Sequence, residues 1–233
     1  MMEYASWTHR ASLFLRKLTH LPGEIAISDG IAAAGDDDHT KDWLQSAKCS
    51  LPPELRDFIA TASRGCYFSY RWKPNGGLPA LLAGIYPNRS EITGGADLCA
   101  ASNFQCYDNR DFFARLGRMG LFARADDPER THGRIAILAM NNGDQISVIS
   151  KDAEPGGKIV YVPKESLEQP QFISDSFGEF LASWEQIAYI TPSWENLAPW
   201  LDPKTGLLKP DSTKAERLRQ VLVASSAEER SIA

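Results

Sequence analysis

The chain has few of the residues that most metal sites and many active sites require. Its 233 residues include four cysteines and four histidines, and no two histidines lie within four positions of each other. Cys99 and Cys106 are separated by six residues, with no histidine nearby. Structural zinc sites need paired ligands at short spacing. We therefore expect neither a bound metal nor a cofactor.

Short catalytic motifs are also missing. The sequence has no Gly-x-Ser-x-Gly nucleophile turn and no glycine-rich loop ending in Lys-Ser or Lys-Thr. Gly94-Gly95 and Gly156-Gly157 lack the third glycine and the following helix of a dinucleotide-binding loop, so we interpret both as turns. The sequence thus predicts no catalytic site. One alternative stays open, a cysteine-dependent enzyme in which Cys66 or Cys99 meets a histidine in the folded chain.

Excess positive charge and long apolar runs are the other absences. The formal net charge is −5 and the sequence pI is near 5.4, which argues against nucleic-acid binding and suits a basic protein partner. No apolar run approaches the roughly 20 residues that cross a bilayer. Leu13–Leu15 is followed by Arg16 and Lys17, too short a run for a secretion signal. We expect a cytoplasmic protein without membrane contact, whose cysteines stay reduced.

What the sequence does contain is enough apolar material for a packed core, 43% of all residues. Residues 134–198 show the clearest pattern. Arg134–Ala139 and Gln145–Ile149 are predicted strands, joined by a hairpin turn at Asn142-Gly143. Pro155-Gly156-Gly157 ends the pair, and Lys158–Val162 is a third strand. A three-stranded sheet with one apolar side needs a cover.

A helix after these strands can supply that cover. Ser176 and Glu179 have the spacing of a capping box, which satisfies two backbone N–H groups at a helix start. The residues that follow place five apolar side chains on one helical face, which we expect to be core: Phe177, Phe180, Leu181, Trp184 and Ile187.

The first third of the chain predicts three helices and a strand. Residues 4–18 predict an amphipathic helix whose apolar face either packs on the domain or binds a partner. Residues 21–39 are rich in Gly, Ala and Asp and predict a linker or surface loop. Thr40–Ala47 predicts a short second helix. Pro52 or Pro53 opens a third helix that ends at Gly65, and Cys66–Trp72 follows as a strand. The last helix is expected near Thr213–Val223.

The order of these motifs resembles a known family. Leu51-Pro52-Pro53-Glu54-Leu55, then Phe58-Ile59 and Gly65, is similar to the opening helix of SMI1/KNR4 domains, the SUKH superfamily. Arg134–Ile149 and Gly157–Val162 resemble its central strands. The segment Phe172–Leu181 resembles its terminal Ser-Phe-x-x-Phe-Leu helix. The resemblance spans roughly residues 40–190 and is weakest over residues 74–133, which look like an insertion.

The resemblance implies an α+β fold, with a single mixed or antiparallel sheet and helices packed on it, and no catalytic site. It divides the chain into an N-terminal helix with an acidic linker (residues 1–39), a SUKH-like domain (40–202) and a C-terminal helical extension (203–233). Bacterial members act largely as immunity proteins that bind and inhibit toxins. Fungal members serve in cell-wall signalling.

The expected function is therefore protein binding, with a polymorphic toxin domain as the partner. The alternative is a non-catalytic adaptor or regulatory domain that joins a larger assembly. Candidate electrostatic contacts are the acidic loop residues Asp36, Asp37, Asp38, Asp126 and Asp127. Tyr70 and Trp72 are candidate aromatic anchors, since such side chains dominate binding hot spots, although Trp72 is expected to lie in the core.

Overall fold

The protein has an α+β fold of seven strands and six α-helices in the part of the chain that is described. The computed structural model describes residues 3–31, 51–63, 66–98, 134–140, 144–149, 157–163 and 171–228. The helices are α1 (Tyr4–Leu18), α2 (Pro53–Thr61), α3 (Ala80–Ile85), α4 (Phe177–Gln186), α5 (Trp194–Leu197), which continues as a 3₁₀ turn to Trp200, and α6 (Ser212–Glu228). The strands are β1 (Glu24–Ile31), β2 (Cys66–Lys73), β3 (Ile92–Leu98), β4 (Arg134–Ala139), β5 (Gln145–Ile149), β6 (Ile159–Val162) and β7 (Gln171–Ser174).

The strands follow one another in space in the order β1 to β7, and every neighbouring pair is antiparallel. The expected single sheet is divided into two antiparallel blocks. Strands β1–β3 form one block and β4–β7 the other, and a single pair, Leu98 with Leu138, joins them. The two blocks therefore separate along most of the length of β3.

The helix predicted over residues 4–18 is confirmed, and its apolar face packs inside the protein. Trp7 and Leu18 are fully buried, so this face is not available to a partner. Helix α6 buries Leu218 and Leu222 in the same core cluster. Both terminal helices thus share the core of the sheet. The expected boundary at residue 39 lies outside the described residues.

The predicted helix over Phe177–Ile187 is confirmed as α4, and all five of its apolar face residues are fully buried. The Ser176 hydroxyl accepts a hydrogen bond from the Glu179 N–H at 3.2 Å, as the capping box predicted. Helix α4 also packs against elements other than the three strands that it was expected to cover. The Trp184 ring stacks on Phe68 of β2 at 5.5 Å and on Trp7 of α1 at 6.1 Å.

Two predictions for the first block were wrong. Residues 21–39 were expected to form a loop, but Glu24–Ile31 is a full strand paired with β2. Backbone pairing outweighs its composition there, because Ile25 and Ile27 alternate toward the core. Gly94-Gly95 was expected to be a turn, yet it lies within β3, which continues to Leu98.

None of the helices in the described ranges has the length and apolar character to span a membrane.

Candidate functional site

A surface groove of about 840 Å³ lies over the outward face of the β1–β3 block. Three groups of residues define it. The first is the outward side chains of β2: Tyr67, Ser69 and Arg71. The second is the pair Met140 and Asp144, at the ends of β4 and β5. The third is the segment Thr191–Glu195. Its volume is within the range of about 300–1,000 Å³ that is typical of small-molecule sites.

The groove forms because the chain after α4 takes the place that β4 would otherwise fill beside β3. The Gly95 N–H donates to the Tyr189 carbonyl at 2.6 Å, and the Thr191 N–H donates to the Thr93 carbonyl at 3.0 Å. Ile190 forms an isolated bridge with Gly94 between these bonds. With this edge of β3 occupied, β4 can join β3 only at its far end, and the two blocks diverge.

The two glycines of β3 are required for its close packing against β2. A Cβ at Gly95, which has φ +91°, would lie 2.0 Å from the Phe68 carbonyl oxygen. A Cβ at Gly94 would lie 2.0 Å from the Tyr70 ring. Gly95 also has a backbone conformation that L side chains rarely adopt. The packing of β3 against β2 thus requires both glycines.

The segment after α4 that pairs with the edge of β3 has a strained backbone, and buried hydrogen bonds hold it in place. Ala188 and Tyr189 have φ of 58° and 53°, a left-handed conformation that costs about 1–3 kcal/mol for each such residue. The Tyr70 hydroxyl donates to the Ala188 carbonyl at 2.7 Å, and the Trp184 indole N–H donates to the Ile190 carbonyl at 2.8 Å. Burial raises the pKa of Tyr70 well above its usual value, so the phenol remains a neutral donor.

Tyr161 of β6 connects two of the three groups that define the groove. Its hydroxyl donates to the Asp144 carboxylate and accepts a hydrogen bond from the Trp194 N–H at 2.8 Å. The rings of Tyr161 and Trp194 lie 5.2 Å apart. Burial raises the pKa of the Tyr161 phenol above its usual value, and the hydrogen bond to Asp144 raises it further. Tyr161 therefore stays protonated and keeps both bonds at physiological pH.

The groove presents one exposed ring and three charged side chains. The Tyr67 side chain is 45% exposed, and its hydroxyl lies 3.3 Å from the Ser69 hydroxyl. Glu195 is ion-paired with Arg89 at 2.8 Å, and Asp144 is bonded to Tyr161. Arg71 is exposed. This combination of an aromatic surface with directional polar groups is suited to binding by stacking and hydrogen bonding.

Neither candidate aromatic anchor is exposed, as was expected for Trp72 but not for Tyr70. Tyr70 and Trp72 are 2% and 1% exposed, because β2 directs these alternate side chains into the core. The Trp72 indole N–H is also satisfied internally, by the Pro22 carbonyl at 2.9 Å. The outward residues Tyr67 and Arg71, missed from the sequence, occupy the opposite phase of the same alternation. Asp36, Asp37, Asp38, Asp126 and Asp127 lie outside the described residues.

One of the two cysteines of the cysteine alternative, Cys66, lies within the described residues. The Cys66 side chain is fully buried on the inner face of β2, where substrate could not reach its sulfur. His9 and His20 are exposed, in α1 and just after it. Cys99, His39 and His132 lie outside the described ranges. Within those ranges, no group of three or more His, Cys, Asp or Glu side chains could hold a metal ion.

Comparison with known proteins gives no family: no protein-family model matches the chain, and neither does any curated protein. What the protein does must therefore be argued from the groove and from the order of its sequence motifs.

Proposed function

We propose that this protein is a non-catalytic binding domain that holds part of a protein partner in the groove. The observation that carries the proposal is the Tyr67 ring, which lies 45% exposed on the groove while most large aromatic rings of the described core are buried. Tyrosine combines a large apolar ring with a polar end, and it is enriched among residues that dominate binding energy. The half-buried Trp194 adds a second ring at the edge of the same groove.

We further propose that the protein is an immunity protein of the SUKH type that binds and occludes a bacterial toxin. Two features support this proposal. The Leu-Pro-Pro-Glu motif opens α2, which is followed by β2, and the Ser-Phe-x-x-Phe-Leu motif opens α4 directly after β7. This is the order expected of the family. The net charge of −5 would also speed encounter with a basic toxin.

The test is inhibition of the toxin-like protein encoded beside this one. Toxin activity is measured while wild-type protein, the Tyr67→Ala variant or the Leu13→Ala variant is added in increasing ratio. Leu13 is a matched control, because it is an exposed apolar residue on α1 away from the groove. We expect wild type and Leu13→Ala to inhibit equally, and Tyr67→Ala to need about tenfold more protein, as for loss of a hot-spot residue.

Two results would count against the proposal. Toxin activity that stays unchanged at excess wild-type protein would reject inhibition, and binding without inhibition would favour the adaptor role instead. Equal inhibition by wild type and Tyr67→Ala would show that the groove is not the contact surface.

A further inference from the structure

The charged residues of the groove are not equally satisfied. Of the three, Asp144 accepts a hydrogen bond from Tyr161 and Glu195 is ion-paired with Arg89. Arg71 differs, because no carboxylate among the residues that the structure describes lies within ion-pair distance of its guanidinium. Arg71 is therefore the charged side chain of the groove lining that has no carboxylate partner among the described residues, while the lining also carries the carboxylates of Asp144 and Glu195.

The strand register explains why Arg71 lacks a carboxylate. Its partners in the neighbouring strands are Ala26 of β1 and Thr93 of β3, which are both uncharged. The nearest residue in register with a carboxylate, Glu24, is opposite Lys73 rather than Arg71. An arginine side chain offers five N–H donors in a planar fork that matches a carboxylate. Here that fork faces the groove with neutral neighbours on both sides.

The distance between Arg71 and Tyr67 sets the shape of the ligand. Both point outward from β2, four residues apart, and a strand rises about 3.3 Å per residue, so the two positions are about 13 Å apart. An extended peptide covers this distance in about four residues. Ser69 lies between them and offers a hydroxyl to the peptide backbone. A ligand that contacts both ends is therefore extended rather than compact.

We propose that the groove receives an extended acidic segment of the protein partner. Arg71 binds an Asp or Glu carboxylate of that segment, and Tyr67 packs against an apolar side chain about four residues away. The inference rests on the proposed function and specifies the chemistry of the partner at this surface. A nucleic acid also carries negative charge, but its affinity depends on neutralising several phosphates, and Arg71 is the only basic residue among the described residues that line the groove.

The test is selection of displayed random 12-residue peptides on three immobilised proteins: wild type, Arg71→Gln and Arg217→Gln. Arg217 is a matched control, since it is an exposed arginine on α6 outside the groove, and its loss changes the net charge equally. We expect peptides selected on wild type to be enriched in Asp and Glu. Their dissociation constants should rise about 10- to 100-fold on Arg71→Gln, as for loss of a hydrogen bond to a charged group, and stay unchanged on Arg217→Gln.

Three results would overturn the inference. They are selected peptides without acidic enrichment, equal affinity for wild type and Arg71→Gln, and binding of a single-stranded oligonucleotide that depends on Arg71. The toxin assay separates this inference from the proposed function. Inhibition at wild-type strength by Arg71→Gln would overturn the acidic segment and leave the proposed function in place. Acidic peptides that bind through Arg71 to a protein without inhibitory activity would support the inference and reject the function.

Discussion

The two faces of strand β2 have opposite environments, although their residues alternate along one chain. The inward side chains Phe68, Tyr70 and Trp72 are nearly fully buried, and Phe68 contacts rings from α1 and α4. The outward side chains Tyr67 and Arg71 face the groove. The inner face holds the fold together, and the outer face is available for binding. Substitutions on the inner face should therefore change the free energy of unfolding, whereas substitutions on the outer face should change partner binding.

The largest expected effect comes from removing the central ring of the inner face. Trp184→Ala deletes a fully buried side chain that stacks on Trp7, Phe68 and Phe180, and it removes the indole bond to the Ile190 carbonyl. We expect the free energy of unfolding to fall by about 3–5 kcal/mol. Urea denaturation measures it. The exposed control Leu13→Ala should change it by less than about 0.5 kcal/mol, and a similar loss in both variants would contradict the comparison.

A smaller loss of stability is expected from a substitution in β3, the strand that packs on β2 and also pairs with the segment after α4. Gly95→Ala places a Cβ in a backbone of φ +91° and 2.0 Å from the Phe68 carbonyl oxygen. We expect destabilisation of at least about 1–3 kcal/mol from the backbone conformation alone. Thermal unfolding measures the change. Gly76→Ala is the control, because its Cβ would have open space. Equal melting temperatures for the two variants would show that β3 does not need the glycine.

Tyr161→Phe tests the connection between Asp144 and Trp194 at the groove. It removes a hydroxyl that serves both Asp144 and the Trp194 N–H, and leaves the ring in place. We expect a loss of about 1–2 kcal/mol in unfolding free energy, together with weaker partner binding. Denaturation and binding are measured on the same samples. Tyr67→Phe, which removes a hydroxyl from the exposed face, is the control for stability. Unchanged binding by Tyr161→Phe would mean that the link does not shape the groove.

The smallest effect on stability is expected on the outer face. Tyr67→Ala removes a ring that is 45% exposed, so the free energy of unfolding should change by less than about 0.5 kcal/mol. Partner binding should nevertheless weaken. Calorimetry of unfolding and titration with the partner give the two values. A large loss of stability would place Tyr67 with the inner residues and remove the distinction between the faces.

Helices and strands with a regular apolar repeat were predicted well from the sequence, because the spacing of the repeat indicates both the type of element and its buried side. Helix α1 and strands β4 and β5 begin and end where the apolar periodicity indicated. Strand β1 was missed, since its small and acidic residues resemble a loop. Strand β7 was also missed, because it has four residues and buries two of them.

The groove itself was beyond sequence reasoning for a different reason. It depends on Ala188 and Tyr189, two non-glycine residues in left-handed conformations that no local pattern indicates. Their conformation is held by local bonds to the end of α4, such as that from the Tyr189 N–H to the Trp184 carbonyl at 3.0 Å, and by distant partners, the Tyr70 hydroxyl and the backbone of β3. The Gly94-Gly95 pair was the one available signal, and it was interpreted as a turn. The sequence predicted Cys66–Trp72 as a strand but gave no reason to prefer Tyr67 and Arg71 over Tyr70 and Trp72 as its exposed side chains.

The hydrogen bonds of Tyr161 have a consequence for how a partner would associate. Because Asp144 and Trp194 are already bonded to the same hydroxyl, this side of the groove is ordered before any ligand arrives. Association then loses little conformational entropy on this side of the interface, so more of the contact energy remains as affinity. A peptide would then bind a groove that changes little in conformation, and most of the conformational entropy lost on binding would be that of the peptide.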